Sequence, residues 1–474
     1  MSTHRPATAD RATDRALRDL AGHLTGALIG PQDPDYDDAR RVWNGMVDVR
    51  PRALARAGSV ADVDLVLATA RRTGLPLAVR GGGHNIAGHS TVADGLVLDL
   101  GGLTGVVVDP AARLVTAQPG ATLAHVDRAT APHGLAVPLG VVGGTGVAGL
   151  TLGGGIGWLT RTHGLTVDNL VSAEVVTAAG EHLHVDGTEH PELFWGLRGG
   201  GGNFGVVTSF RYRAHPLASP VLVGGLVYRR PRWEHALAAF EVWARELPDA
   251  MNTIVSFVVL PPEYGLGPEV LMTVGFAWAS PRHGAGLELV DRLRAAAPPD
   301  LETVGPVPWT VWQTAKDPVF PTGSRGYWKN VAFSRLDEEV VSALVAAASE
   351  ITWVGSGINL HCLRGAFGRV PEDATAWPSR SARFWLNIFG FWRDPADDAR
   401  LTAYARTVHA ALEPFAEPGQ YVNFLGAEAG GDPVVAARQA YGRAKHERLV
   451  ELKNRFDPEN MFRGNHNIVP TASR

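Results

Sequence analysis

The sequence predicts an α+β fold built in two parts. A chain of 474 residues is longer than a single hydrophobic core usually supports, so a second core is expected. The first half alternates short helical and strand-like segments with glycine turns, whereas longer strand-like runs begin beyond residues 210–220. We therefore expect the second part to hold an antiparallel or mixed sheet covered by helices on one face.

A helix and two short strands are predicted near the start of the first part. Residues 59–74, SVADVDLVLATARRTG, combine apolar residues at helical spacing with a serine at the start and a glycine at the stop. The segments LPLAV and GLVLDL, which follow this helix, read as buried strands. The next stretch, which ends at Gly134, predicts a strand, a turn and a second helix.

Long strands are typical of the second part. Five strand-like runs are VLVGGLVYRR, TIVSFVVLPP, EVLMTVGFAWA, SGINLHCLRGAF and RFWLNIFGFW. The helical stretches RWEHALAAFEVWARELP and EEVVSALVAAASEI alternate with them. The C-terminal tail predicts a helix that stops at an Asp-Pro pair and continues as a loop.

Composition excludes several classes of partner. The net charge of -4 and the pI near 6.5 give no electrostatic basis for binding nucleic acid or an anionic membrane. Cys362 is the one cysteine, so neither an intrachain disulfide nor a cysteine metal cluster is expected. Neither a membrane span nor a secretory signal is recognisable, so we expect a soluble, cytoplasmic protein whose partner is a small molecule.

Two strings match the dinucleotide pattern G-x-G-x-x-G, but neither has the context of a nicotinamide site. The string Gly200–Gly205 is followed by the strand-like VVTSFRYR, so the helix N-terminus needed for a pyrophosphate is missing. The string Gly144–Gly149 runs into GGGIG, a poor helix interior, and Asp168 beyond it follows a turn rather than a strand.

The glycine clusters favour a different role. Successive backbone N–H groups in turns form concave nests that hold phosphate oxygens, and glycine permits that geometry. A single cluster is usually just a tight turn, but four in one half of the chain favour a long ligand with a diphosphate. The clusters are Gly81–Gly83, Gly143–Gly149, Gly153–Gly157 and Gly199–Gly202.

His84 directly follows the first cluster, and several roles are open to it. It is either a buried histidine satisfied by backbone or a group that reacts with the ligand held by the nests. A metal site with His89 is disfavoured because no carboxylate lies beside the two histidines. A hydrolase arrangement is disfavoured because no G-x-S-x-G elbow occurs.

Four blocks of the chain resemble the berberine bridge enzyme-like oxidases of the vanillyl-alcohol oxidase, or PCMH-type, FAD superfamily. The blocks are residues 50–90 (ending in RGGGHNIAGHS), Gly146–Leu170, His190–Phe210, and YVNF with RLVELKNRFDPENMFRGNHNIVP near the C-terminus. The resemblance implies a PCMH-type FAD-binding domain over residues 1–215 and a substrate domain over 216–414. It also implies that residues 415–474 pack back onto the FAD domain.

The resemblance implies that FAD is the cofactor and that His84 is joined to its 8α-methyl group. Many members use a second link through a cysteine at the position of Val142, so a single link is expected here. That implies a less oxidising flavin and a more open active site. The other implied cofactor-binding residues are Arg80, Gly81, Gly82, Gly83, Asn85, Gly88, His89, Ser90, Gly146, Val147, Gly149, Gly153, Gly154, Gly157, Gly205, Val206, Tyr421 and Asn423.

Thr145 occupies the family position that helps to decide oxygen access. Its volume is close to that of valine, which oxidases often carry there, so oxygen is expected to enter. Its hydroxyl makes oxygenation of the substrate an alternative, and an N-cap role for the following segment is a second one.

The strand-like RFWLNIFGFW is expected to match the strand on which plant members carry a catalytic glutamate. Its alternating residues are Trp385, Asn387, Phe389 and Phe391, with no acid. Asn387 is the candidate polar contact, and the aromatic residues form either a wall of the pocket or core packing.

Tyr421 is the candidate base by resemblance. A phenol has a pKa of about 10 and needs a nearby cation to act as a base. The segment YWKN supplies Lys329 as the candidate cation, with a surface lysine as the alternative, and Tyr327 as a further candidate catalytic residue.

These features together predict an FAD-dependent oxidase. A small, flat or apolar substrate of secondary metabolism would pass a hydride to the flavin, which dioxygen reoxidises to give hydrogen peroxide. Two alternatives stay open: a flavin-dependent oxygenase, and a flavin-carrying protein without turnover.

Overall fold

The computed structural model describes residues 7–260, 262, 265–428 and 432–471. A four-stranded sheet comes first in the chain, with the order β1-β2-β4-β3; β2, β4 and β3 are parallel and β1 is antiparallel. Its strands are β1 (Ala27–Ile29), β2 (Ala53–Arg56), β3 (Leu77–Arg80) and β4 (Leu96–Asp99). The accompanying helices are α1 (Ala7–Ala21), α2 (Tyr36–Ala39) and α3 (Val60–Thr73).

Helix α3 confirms the first predicted helix and its two boundaries. Ser59 is the N-cap in a capping box with Asp62, and Gly74 ends the helix with φ of 65°. The predicted strands on either side of the following turn are β3 and β4. The buried residues of α3 pack with those of α1 and of this sheet in one core.

A five-stranded antiparallel sheet follows, with the order β5-β6-β10-β8-β9, and a two-stranded β7-β11 ribbon lies beside it. The strands are β5 (Val106–Asp109), β6 (Leu114–Ala117), β7 (Leu135–Ala136), β8 (Leu170–Val176), β9 (His182–Asp186), β10 (Val206–Arg213) and β11 (His215–Pro216). The helices are α4 (Leu123–Thr130), α5 (Val147–Gly153), α6 (Thr160–His163) and α7 (Pro191–Leu197).

A seven-stranded, wholly antiparallel sheet forms the second half, with the order β15-β12-β14-β13-β17-β18-β16. Its strands are β12 (Val221–Tyr228), β13 (Met251–Val258), β14 (Leu271–Trp278), β15 (Leu301–Val307), β16 (Arg325–Phe333), β17 (Gly357–Cys362) and β18 (Phe384–Trp392). The helices of this half are α8 (Trp233–Arg245), α9 (His283–Ala296), α10 (Trp309–Thr314), α11 (Glu338–Ser349), α12 (Ala366–Arg369) and α13 (Asp398–Leu412).

Helices cover one face of this sheet, as predicted for an α+β protein. Apolar residues of α8, α9, α11 and α13 share one core with alternate residues of β16, β17 and β18. The five predicted strand-like runs are β12, β13, β14, β17 and β18, whereas β15 and β16 were not predicted as strands. The opposite face of β16, β17 and β18 is left to face the rest of the molecule.

The chain ends with α14 (Pro433–Tyr441) and α15 (Arg443–Phe456), followed by a loop. Residues of both helices and Ile468 share a core with the five-stranded sheet. Within the described ranges, no helix combines the length and the apolar character needed to cross a bilayer.

Candidate active site

A large cleft lies where the glycine turns meet the inner face of the seven-stranded sheet. It encloses about 1780 Å³ outside the protein atoms, counted out to its mouth. The wall comes from the turns after β3, before α5 and before β10, from β16, β17 and β18, and from two C-terminal loops.

Two of the glycine turns pack directly against each other. A Cβ on Gly82 would lie 2.6 Å from the nitrogen of Gly146, and a Cβ on Gly146 would lie 2.5 Å from the nitrogen of Gly82. Either methyl group would force the turns apart. Both glycines therefore line the cleft with bare backbone, as a nest requires.

His84 is held against the wall of the cleft by Trp43. The two rings stack with centroids 4.8 Å apart and planes at 24°. The Trp43 backbone N–H donates to the carbonyl of Gly83 over 3.0 Å, which fixes the tryptophan to the turn. Burial lowers the pKa of His84 to about 4, although a hydrogen bond to its own backbone raises it, so the imidazole is neutral at pH 7.

Arg80 lies behind this turn rather than in the cleft. Its guanidinium donates to the backbone carbonyls of Ser90 over 3.1 Å and Ala39 over 2.6 Å, so it ties the loop to the segment before Trp43. Asn85 accepts from the His89 backbone N–H over 3.1 Å, which closes the loop. Gly88 does not line the cleft and adopts φ of 79° in this loop.

Most of the cofactor-binding residues implied by resemblance do line the cleft: Gly81, Gly82, Gly83, His84, Asn85, His89, Ser90, Val142, Gly146, Gly149, Gly205, Val206, Tyr421 and Asn423. The others support it from behind. Val147 is buried in the core of the five-stranded sheet. Gly153 and Gly154 leave room for the side chains of Asn423 and Trp377, and a Cβ on Gly157 would lie 1.8 Å from the carbonyl oxygen of Leu139.

The segment after Thr145 differs from the sequence-based expectation. A seven-residue helix, α5, does form from Val147, because GGGIG begins only at its last residue. Gly146, not Thr145, is the N-cap residue, so the capping alternative for Thr145 is wrong. Thr145 instead lines the cleft. Asp168 pairs with Arg380 over 2.7 Å and does not line the cleft, so it is not the ribose-binding acid of a nicotinamide site.

Tyr421 reaches the cleft from the loop before α14. Its hydroxyl oxygen accepts from the Gly155 backbone N–H over 3.0 Å and from Asn423 Nδ2 over 3.1 Å. Its backbone is held by Asn330, which accepts the Tyr421 N–H over 2.8 Å. Burial raises the pKa of Tyr421 to about 12 against these hydrogen bonds.

Tyr327 and Lys329 do not support Tyr421, which corrects the sequence-based expectation. Side chains alternate along β16, so both lie on the face that carries α13, opposite to Asn330. Lys329 pairs with Glu428 over 2.6 Å, and Tyr327 donates to the same carboxylate. Neither residue lines the cleft, so the expected cation beside Tyr421 is absent from the described part of its surroundings.

Strand β18 contributes Asn387 alone to the wall. Phe389 and Phe391 pack with Trp43 and Trp328 in a small aromatic core, as the packing alternative predicted. Trp385 donates its indole N–H to Asn330 over 3.0 Å. The aromatic residues that do line the cleft come from other segments: Phe320, Trp328, Phe424, Tyr421, Tyr441 and Phe462.

Two groups of lining residues were missed from the sequence. Asn359 and His361 lie on β17, where SGINLHCLRGAF was read only as a strand; its alternating polar residues were the available signal. Gly464, Asn465 and His466 come from the C-terminal loop, to which no individual role was assigned. His466 packs edge-on against His89 with ring centroids 4.8 Å apart.

The polar groups in this wall fit a large cofactor and a substrate beside it. Several of its buried polar atoms have no hydrogen-bond partner: His89 Nε2, Ser90 Oγ, Trp328 Nε1, Asn359 Oδ1, Asn387 Oδ1, Tyr441 OH, Asn465 Oδ1 and His466 Nε2. Buried polar groups in native proteins normally find partners, so these atoms indicate ligands. Among the described residues, no group of three or more His, Cys, Asp and Glu side chains is placed to hold a metal ion.

Comparisons with known proteins agree with this geometry. Residues 51–186 match the family model of an FAD binding domain, and residues 420–469 match the model described as berberine and berberine like. The chain is 30% identical to the FAD-linked oxidoreductase YgaK of Bacillus subtilis, over 94% of this chain and 97% of that protein. It is 29% identical to the (R)-6-hydroxynicotine oxidase of Paenarthrobacter nicotinovorans, over 95% and 98% of the two chains.

Solved structures show the same fold. The wild-type BBE-like 1 protein of Physcomitrella patens has a TM-score of 0.84 at 21% identity and covers 97% of this chain and 99% of its own. The 6-hydroxy-D-nicotine oxidase of Arthrobacter nicotinovorans has a TM-score of 0.82 at 25% identity, with coverage of 94% and 98%.

The fold and the glycine-lined cleft thus define an FAD-dependent oxidoreductase. The chain belongs to the berberine bridge enzyme-like family of FAD-linked oxidoreductases.

Proposed function

We propose that the protein is an oxidase that carries FAD on a single covalent link, through the imidazole of His84, and uses dioxygen as the electron acceptor. The observation that carries the proposal is the position of His84, directly after a glycine turn and stacked on Trp43 at the wall of the cleft. A neutral imidazole keeps the free lone pair that bond formation needs, and burial keeps His84 neutral.

The absence of a second link follows from the position of the one cysteine. Cys362 lies at the end of β17 in the core under the helices, and Arg161 lies 3.8 Å from its sulfur. Val142 occupies the cleft wall where doubly attached relatives carry cysteine. One link is therefore the most that this chain provides through histidine and cysteine at these positions.

The chain's own residues would orient the substrate and receive its proton. Bound FAD supplies a two-electron acceptor. The side chain of Asn387 would contact the substrate, and the phenolate form of Tyr421 would take the proton. The aromatic lining favours a flat or apolar substrate.

Acid denaturation tests the covalent link. We expect the yellow colour to stay with the wild-type chain in acid and to be released from His84→Ala, because the variant lacks the attaching nitrogen. His133→Ala, at an exposed site in the turn after α4, is the control and should keep its flavin. Release of flavin from the wild type would contradict the link, and a purified protein without flavin would contradict the cofactor assignment.

Oxygen transfer to the substrate is the second candidate, because Thr145 lines the cleft and its hydroxyl makes no hydrogen bond with a described residue. We expect ¹⁸O-labelled dioxygen to appear as hydrogen peroxide and not in the product. Label in the product, lost in Thr145→Val, would favour the oxygenase instead.

The division into an FAD domain (1–215 with 415–474) and a substrate domain (216–414) remains a proposal. It is supported by the hydrophobic cores. One buried core draws only on residues between Leu222 and Leu412, and another joins the five-stranded sheet to the C-terminal helices.

A further inference from the structure

The residues that line the cleft carry no net charge at pH 7. Among the described lining residues, none is Asp, Glu, Lys or Arg. Burial lowers the pKa of His84 and His89 to about 4 and that of His361 and His466 to about 3. Burial also raises the pKa of Tyr421 to about 12, so all five groups are neutral.

Two asparagines on this wall are buried without partners. Asn359 on β17 and Asn387 on β18 are 6% and 5% exposed, and they lie directly opposite each other in the sheet register. Neither side-chain amide bonds to a described residue, and both Oδ1 atoms are buried although the two residues line the cleft. Directly opposed residues on one face have Cβ atoms about 4.5–5.5 Å apart, so the two amides form one patch.

Asn330, the third asparagine of the same row, has a structural role that Asn359 and Asn387 lack. It lies opposite Asn387 on β16. Its amide accepts from the Tyr421 N–H and the Trp385 indole, and donates to the carbonyl oxygens of Tyr421 and Phe424. One amide of the row therefore holds the Tyr421 loop, whereas its neighbours lack partners and face the cleft.

We propose that Asn359 and Asn387 recognise the substrate, which is an uncharged, planar aromatic compound with a group that both donates and accepts hydrogen bonds. A carboxamide or a phenol is such a group, because an asparagine amide offers one acceptor and two donors. Trp328, Phe424 and the neutral ring of His361 supply flat neighbours in the same wall. The inference rests on the proposed oxidase function and specifies its substrate class.

Lys316 is a buried cation near the cleft that would favour a charged substrate instead of a neutral one. Its ammonium lies 5.4 Å from the centre of the Trp158 ring and influences His361, but Lys316 is not a lining residue. It pairs with no carboxylate in the described part of the chain, so it would favour an anionic substrate. Burial lowers its pKa to about 8.

Three benzene derivatives of similar size separate the possibilities. The flavin-loaded enzyme is titrated at pH 7 with benzamide, benzoate and benzylammonium while the visible spectrum of the flavin is followed. We expect benzamide to bind at least about tenfold more tightly than either ion, since an ion would lose its hydration in a neutral cleft. Asn359→Leu and Asn387→Leu should each weaken benzamide about tenfold, the usual effect of one hydrogen bond.

Thermal unfolding distinguishes recognition from a structural role. Leucine fills the same space and removes an unpartnered amide, so both variants should keep or raise the Tm, whereas Asn330→Leu should lower it. Gln32→Leu, at an exposed side-chain amide in the turn after β1, is the matched control and should change neither reading. If a leucine variant fails to fold, Asn359→Asp and Asn387→Asp replace it and should shift the preference to benzylammonium.

Several results would overturn the inference. The first is that benzoate binds as tightly as benzamide and that Lys316→Met abolishes the binding of benzoate. The second is that the leucine variants bind benzamide as tightly as the wild type does. The third is that benzamide does not bind at all. The flavin content and its retention in acid are measured on the same samples. Loss of the covalent flavin would refute the proposed link without touching the substrate inference, so the two failures are distinguishable.

Discussion

Three donors converge on one phenol oxygen at Tyr421. The backbone N–H groups of Gly155 and Ile156 and the amide of Asn423 all point at it, an arrangement that would stabilise a phenolate. Burial outweighs them, and the pKa of Tyr421 rises to about 12. The residue thus resembles a base whose charged form is prepared by the backbone rather than by a neighbouring cation.

The pH dependence of turnover tests this role. Only the phenolate accepts a proton, and below a pKa of about 12 its fraction rises tenfold per pH unit. We expect kcat/KM for an oxidised substrate to rise between about pH 6 and about pH 10, and Tyr421→Phe to lose the slope and about 10²-fold in rate. Tyr327→Phe, on the other face of the sheet, should keep both. A flat profile in the wild type would contradict the assignment.

Among the elements, α4 and α10 are joined by a buried carboxylate. Asp127 accepts from the Trp309 indole and from Gln313 Nε2, each over 3.2 Å. Gln313 also donates to the carbonyl of Gly140, next to the loop that carries Val142 and Thr145. Two donors do not offset the burial, which raises the pKa of Asp127 to about 7.

The free energy of unfolding should therefore fall as the pH rises toward the pKa of Asp127. The folded-state pKa lies above the unfolded value of about 3.8, so the unfolded state ionises first and gains stability between about pH 4 and about pH 7. Asp127→Asn should remove this loss and raise the free energy of unfolding at pH 8 by at least about 1.4 kcal/mol, the value of one pKa unit. Urea unfolding at about pH 5 and about pH 8 measures it, with the exposed Asp291→Asn as control. An equal pH dependence in Asp127→Asn would contradict the assignment.

The elements also show how far the sequence could lead. Local signals placed α3 between Ser59 and Gly74, and apolar runs located five of the seven strands of the large sheet. Lys329 was wrongly predicted to lie beside Tyr421. Which face of the sheet its side chain lies on depends on the pairing of β16 with β18, and no local pattern reveals that pairing. His466 was missed because it meets His89 only through the folding of the C-terminal loop.

At the scale of the whole molecule, a buried ion pair fastens the C-terminal loop to the glycine turn before β10. Lys453 and Asp457 are 2.7 Å apart, and both side chains are fully buried. Lys453 also donates to the carbonyls of Asn203 and Phe462, over 2.9 Å and 3.0 Å. Both of these residues line the cleft, so the ion pair connects two parts of its wall.

Removing Lys453 should disturb stability and cofactor retention together. Lys453→Met leaves Asp457 buried without its cation, a change that typically costs about 3–5 kcal/mol. We expect a lower urea midpoint and, in a His84→Ala background, weaker flavin binding. Lys445→Met, which breaks the pair of Lys445 with the exposed Glu372, is the control and should cost less. Unchanged stability in Lys453→Met would show that the ion pair does not hold the loop.

The neutral wall of the cleft also bears on how a substrate arrives. Side chains that carry a charge attract or repel a ligand over about 8–10 Å at moderate ionic strength, and this steering weakens as salt is added. The lining residues here offer no such field. Capture of an uncharged compound would then depend on diffusion and on the shape of the opening, and its rate would be the same in dilute buffer and in concentrated salt.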